Sequence, residues 1–176
     1  MTDRHAELRK MIEHASTWAE KRFRKKGELS PMWHAVDADG RHYLMPAPPC
    51  DSKDLSVALV RAVFEASNIV RCVFIDEAWV LAKRAEKLTA EQAEAFKQQC
   101  LKHGVADHPD RQEVVIFSGE DELGFVMGTR PIIRKGNKAT LGPLTYNMSG
   151  QSKSDLSEGQ WEGRLIGMLP QRGRVQ

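Results

Sequence analysis

Val70-Arg71-Cys72-Val73-Phe74-Ile75-Asp76-Glu77-Ala78-Trp79 is the stretch on which the reading of this chain turns. Its β-branched and aromatic residues favour an extended strand. Both faces are apolar around Val70, Cys72, Val73, Phe74 and Ile75, the pattern of a central strand covered on both sides. The run then ends abruptly in two carboxylates and a tryptophan.

Val73-Phe74-Ile75-Asp76-Glu77 has the form of a Walker B strand, in which the Asp holds magnesium through water and the Glu activates water. Such a strand needs a GxxxxGK[ST] loop whose backbone amides cradle phosphate, and the chain has none. Gly150-Gln151-Ser152-Lys153-Ser154 has the wrong spacing and the wrong place in the chain. Strand alternation also sends Asp76 and Glu77 to opposite faces, which keeps them from one metal ion. They are therefore expected to close a core strand, with their side chains at its solvated end.

Outward from this strand, helical spacing of Leu8, Met11, Ile12, Ala15, Ala19 and Phe23 predicts a helix over residues 4 to 26, with Asp3 as N-cap and Gly27 as stop. Asp37-Ala38-Asp39-Gly40 predicts a hairpin between strands near 32–36 and 42–45, its loop having two or four residues. Ser52 caps a second helix whose core face reads as Leu55, Leu59, Ala62, Val63 and Ala66, ended by Asn68. Thr89-x-x-Gln92 is a capping box for a weakly apolar helix reaching Lys102. Strands follow at 111–117, 123–134 and 138–145, with Gly119-Glu120-Asp121-Glu122 read as a solvated turn. Pro131 cannot donate to a ladder, which puts its strand at an edge or on a bulge. Residues 147–160 read as a mobile loop, 165–169 as a short strand and 170–176 as a frayed tail.

The order α-β-β-α-β-(α)-β-β-β predicts a single α+β domain over residues 1–176. Its sheet would be mainly antiparallel, of five to six strands, with the first two helices on one face. Profilin-like and roadblock-like domains share this broad order, an analogy of fold that carries no activity.

Composition narrows the function classes. With 41% hydrophobic and 28% charged residues and a formal net charge of +2, the chain is that of an ordinary globular domain. The charge is too mild to imply nucleic acid by itself. It is unevenly placed, however: Lys21, Arg22, Arg24, Lys25 and Lys26 form one cluster, and Arg130, Arg134, Lys135 and Lys138 another. Cys50, Cys72 and Cys100 are odd in number and widely spaced, which does not make a disulfide framework. No apolar run reaches the length of a membrane span, and the start lacks a signal peptide's apolar segment. A cytoplasmic protein with no cofactor and no membrane contact is expected.

Candidate chemistry is sparse. Cys100-x-x-His103 places two metal-ligand types one helical turn apart and lacks two further ligands. His34 and His42 are cross-strand neighbours in the hairpin, read as surface residues. No nucleophile elbow occurs. Trp33 and Trp79 stand at strand ends, where an indole completes a core or anchors a partner.

Five stretches of residues carry a resemblance. They are Gly27-Glu28-Leu29-Ser30-Pro31-Met32-Trp33, then Phe74-Ile75-Asp76-Glu77-Ala78-Trp79, and the segments Arg130-Pro131-Ile132-Ile133-Arg134, Leu141-Gly142-Pro143-Leu144 and Leu169-Pro170-Gln171-Arg172. With them the chain resembles a family of small bacterial proteins of unknown function. The resemblance implies no activity and assigns no site residue.

The expectation is therefore a non-enzymatic binding or regulatory domain acting through protein contacts, including self-association, with Trp33 and Trp79 as contact residues. A nucleic-acid accessory protein using residues 21–26 and 130–138, with Lys25, Lys26, Arg130 and Arg134 as contacts, is the second expectation. A small metal-dependent hydrolase centred on Asp76, Glu77 and His34 is the third.

Overall fold

Among the described residues, seven strands and two long helices follow in the order α1 (Ala6–Lys26), β1 (Met32–Asp37), β2 (His42–Pro46), α2 (Lys53–Ala66), β3 (Ile69–Val80), β4 (Gln112–Asp121), β5 (Gly124–Lys135), β6 (Lys138–Leu141) and β7 (Thr145–Gln151). The computed structural model describes residues 5–80, 111–136, 138–151 and 167–169, with residues 89, 91, 92, 94, 95, 98, 102 and 104 between them. The sheet runs β2-β1-β3-β4-β5-β6, and β7 also pairs with β5. Every pairing is antiparallel.

Local chemistry sets the joints. Gly27 ends α1 in the left-handed conformation at φ 73°, its N–H bonded to the Phe23 carbonyl. The β1–β2 loop holds three residues rather than two or four: the Asp37 N–H bonds the Arg41 carbonyl, and Gly40 takes φ 80°. This is a type I turn followed by a left-handed residue. The Asp37 carboxylate fixes it by accepting from the Asp39 and Arg41 amides and the Tyr43 hydroxyl. Ser52 Oγ accepts from the Leu55 amide and caps α2, and Asn68 takes the left-handed φ of 53° beyond its end. Thr89 and Gln92 exchange the two hydrogen bonds of a capping box. Asp3 lies outside the described residues.

The two helices lie on opposite faces of the sheet, not on one. Leu8, Met11, Ile12, Ala15, Ala19 and Phe23 of α1 pack with Val73, Ile75, Val115, Phe117 and Val126. Val57, Val60 and Phe64 of α2 pack with Trp33, Cys72, Phe74, Val114 and Ile116. The two sets alternate along β3 and β4, and this is why β3 is apolar on both faces. The core face expected for α2 is also corrected. Leu55, Leu59 and Val63 are exposed, and the helix buries Ser56, Val57, Val60 and Phe64 instead. A helix apolar on both sides offers two faces to a sheet, and periodicity cannot choose between them.

Two further expectations change. The turn between β4 and β5 is Glu122-Leu123, because Asp121 pairs with Gly124. Glu120 and Asp121 are buried strand residues rather than solvated turn charge. Asp121 Oδ1 accepts from the Leu123 and Gly124 amides, while Glu120 Oε2 accepts from the Met168 amide at 2.8 Å. Residues 145–151 form β7 rather than the start of a loop; residues 152–160 and 170–176 lie outside the described residues. Gly167, Met168 and Leu169 are not in a strand; Met168 and Leu169 are buried on the α2 side.

Pro131 stands inside the sheet, not at its edge. β5 pairs with β7 up to Thr129 and with β6 from Ile132, so Pro131 falls at the junction between two partners. Its carbonyl accepts from Gly142, and no neighbour needs the N–H it lacks.

α1 crosses the sheet where side chains are absent. A Cβ on Gly119 would stand 2.9 Å from Leu8 Cδ1 and 3.0 Å from Ile12 Cδ1. Leu8 and Ile12 are fully buried. Gly119→Val is therefore expected to destabilise the fold by about 1–3 kcal/mol through overpacking. Urea unfolding reads this as a lower midpoint with an unchanged slope.

Candidate functional site

Asp76, Glu77 and His34 do not converge. Glu77 lies on the α1 face, where its carboxylate accepts from the Leu29 amide beyond the helix end. Asp76 lies on the other face, opposite Ile116 of the α2-side core, and its Oδ1 accepts from the Glu77 amide at 2.9 Å. His34 pairs with Val73, four residues before Glu77, which is about 13 Å along the strand. Among the described residues no three His, Cys, Asp or Glu side chains are grouped to hold a metal ion. Cys100 and His103 lie outside the described residues.

The expected contact residues divide. Trp33 is fully buried, its ring 4.6 Å from that of Phe74, so it belongs to the α2-side core and has no surface for a partner. Arg130 is also buried, and its guanidinium is consumed inside the protein. Nε donates to the Gly142 carbonyl at 2.6 Å, Nη2 to the Leu141 carbonyl at 3.2 Å, and Nη1 to Ser16 Oγ at 3.2 Å and Glu20 Oε2 at 3.0 Å. This bond holds the Glu20 carboxyl below the usual range for a glutamate. Arg130 is thus a tie between α1 and the β6 end, not a nucleic-acid contact. Arg134 is half-exposed; it forks onto Glu113 and donates to the Gly27 carbonyl at 3.4 Å. Lys25 and Lys26 are exposed in the last turn of α1. Trp79 is 42% exposed, with the Arg111 guanidinium 4.7 Å above its ring centre.

A concavity among the described residues lies elsewhere. Between α1 and the β1–β2 hairpin opens a cleft of about 490 Å³, lined by His14, Ala15, Trp18, His34, His42, Leu44 and Ile75. Its size and mainly apolar wall are those of a ligand site. His34 Nε2 stands 2.9 Å from His42 Nδ1, so one proton is shared along that contact. The His14 and His34 ring centres are 6.0 Å apart. Burial and the two neighbouring imidazoles push His34 down to about 4, leaving it neutral at physiological pH. His34 is buried rather than a surface residue as its pairing with His42 had implied.

The hairpin period places His34, His42 and Leu44 on one face, so half of this cleft is a consequence of the Asp37–Gly40 turn. His14 and Trp18 flank the apolar stripe of α1 four residues apart, and only the packing of α1 on this face brings them to the hairpin. No family model, curated protein or solved structure matches the chain.

Two outcomes follow from this geometry. His34 carries a folded-state value below its ordinary 6.5, so the unfolded chain takes up the proton first. Its contribution to stability is complete above about pH 6.5 and declines as pH falls toward about 4, by up to about 3 kcal/mol. Urea unfolding at several pH values is expected to show this decline in the native chain and a shallower one in His34→Gln. Arg130→Lys keeps the charge but loses the planar fork, and is expected to lower stability by about 2 kcal/mol. Lys25→Gln at the exposed helix end is expected to change it by less than about 0.5 kcal/mol in the same assay.

Proposed function

We propose that the protein is a binding domain that takes an extended segment of a partner polypeptide along the outer edge of β2, which no described strand pairs. An apolar side chain of that segment would sit in the histidine-lined cleft. One observation carries the reading. The edge strand β2 itself supplies His42 and Leu44 to the cleft, and Leu44 is 56% exposed there. An edge strand directs unpaired N–H and C=O groups outward, which gives affinity, while an adjacent pocket selects alternate side chains. With His34 neutral and Trp18, Leu44 and Ile75 on the walls, the cleft favours an aliphatic or aromatic group over a charged one. A second copy of this chain is one source of such a segment. No described helix is long and apolar enough to cross a membrane.

The test is selection from a displayed library of random peptides, followed by amide NMR. Selected peptides are expected to alternate apolar residues and to perturb the amides of residues 42–46. Leu44→Asp should weaken them by about tenfold or more. Perturbations confined to another surface, or a library without binders, would remove the reading. Sedimentation over a range of concentrations tests the second copy as the partner.

A further inference from the structure

We infer that the end of the sheet opposite the β1–β2 turn is an interface for single-stranded nucleic acid. In an antiparallel sheet the end of β3, the start of β4, the end of β5 and the start of β6 fall together, and here the C-terminus of α1 joins them. The register fixes this: Trp79 lies opposite Glu113, and Lys135 opposite Lys138. Arg134 ties the group to the helix end through Glu113 on one side and the Gly27 carbonyl on the other. The two basic segments of the chain, far apart in sequence, thereby come to the same end of the sheet. Lys25, Lys26, Lys135 and Lys138 are all exposed there.

A helix end attracts cations through its partial negative charge, which accounts for Lys25 and Lys26 in isolation. It does not account for lysines on a hairpin of another element, nor for a 42% exposed indole at the same end of the sheet. Trp79 with Arg111 stacked over it provides two flat, polarisable surfaces at the rim of the cationic corner. Bases stack on aromatic rings and on guanidinium planes, and the phosphate backbone pairs with lysines. Exposed stacking surfaces favour unpaired bases over a duplex, whose bases are already stacked. The face is separate from the β2 edge and does not depend on the cleft reading.

The experiment is fluorescence anisotropy of labelled oligo(dT) and oligo(U), each about 20 nucleotides long, with the full chain at about 50 mM salt and upward. With roughly four phosphates neutralised, the plot of log affinity against log salt should have a slope of about −3. Trp79→Ala should weaken binding by about fivefold or more and leave the slope in place. Lys25→Glu combined with Lys26→Glu should weaken binding and flatten the slope. Lys53→Glu, on α2 across the sheet, should change neither. Circular dichroism checks each fold, and Arg111→Ala carries the Trp79 expectation if that variant does not fold. The inference is overturned by absence of binding at the lowest salt. It is also overturned if Trp79→Ala and Arg111→Ala, folded, bind as the native chain does. Tighter binding to anionic lipid vesicles or heparin than to either oligonucleotide would overturn it as well.

Discussion

Two-sided burial of β3 is the constraint on which the rest of the structure depends. Val73 and Ile75 face α1, while Cys72 and Phe74 face α2, and all four are buried. Each large apolar side chain moved out of water contributes roughly 1.5–3 kcal/mol, so a strand loaded on both faces stays in solution only if both are covered. One helix cannot do this. α1 and α2 must therefore take opposite faces, and β3 must sit between β1 and β4 with both backbone edges paired. The hairpin β1–β2 then becomes one margin of the sheet and β6 the other. The cleft and the basic corner both follow from this arrangement: one lies at the hairpin margin, the other where strand ends meet a helix end.

The polar residues that once suggested chemistry serve to fasten α1 to its face. Glu77 receives the Leu29 amide just past the helix. Arg130 reaches Ser16 and Glu20 on the helix and the Leu141 and Gly142 carbonyls at the end of β6. A buried guanidinium is costly to desolvate unless its donors are paired, and here each of its three nitrogens donates. Such a group fixes where a helix sits more than it adds stability. Gly119 works with it from below by letting Leu8 and Ile12 approach the strand backbone.

The elements written in local chemistry were legible in the sequence: the α1 stripe with its Gly27 stop, the Asp37–Gly40 hairpin, the Ser52 cap, the Thr89–Gln92 capping box and the two-faced strand. What escaped was set by tertiary partners. α2 has two apolar faces, and Val57, Val60 and Phe64 won because they meet Trp33 and Phe74 on the sheet. Glu120 read as solvated because its partner, the Met168 amide, is 48 residues away. Arg130 read as a surface cation because nothing local reveals Ser16 and Glu20 across the sheet. The candidate site was half legible. The hairpin pattern sets His34, His42 and Leu44 on one side, but His14 and Trp18 join them only through helix packing. Likewise, the basic segments 21–26 and 130–138 were visible as charge, whereas their arrival at the same end of the sheet as Trp79 and Arg111 was not.

One helix serves both surfaces. His14 and Trp18 of α1 line the cleft, and Lys25 and Lys26 reach the basic corner, a separation of about 16 Å from His14 to Lys25 along the axis. Between them, Ser16 and Glu20 are held by Arg130. A ligand in the cleft could influence the corner through α1 only by shifting or turning the helix, and that motion would break hydrogen bonds to a buried guanidinium. Each bond to a charged group is worth about 1.5–3 kcal/mol, so the helix resists displacement by any ligand of modest affinity. Coupling between sites requires an element with two arrangements of similar energy, and this tie removes α1 from that role. The tie to Arg130 therefore holds the cleft wall and the helix end in one fixed relation along α1.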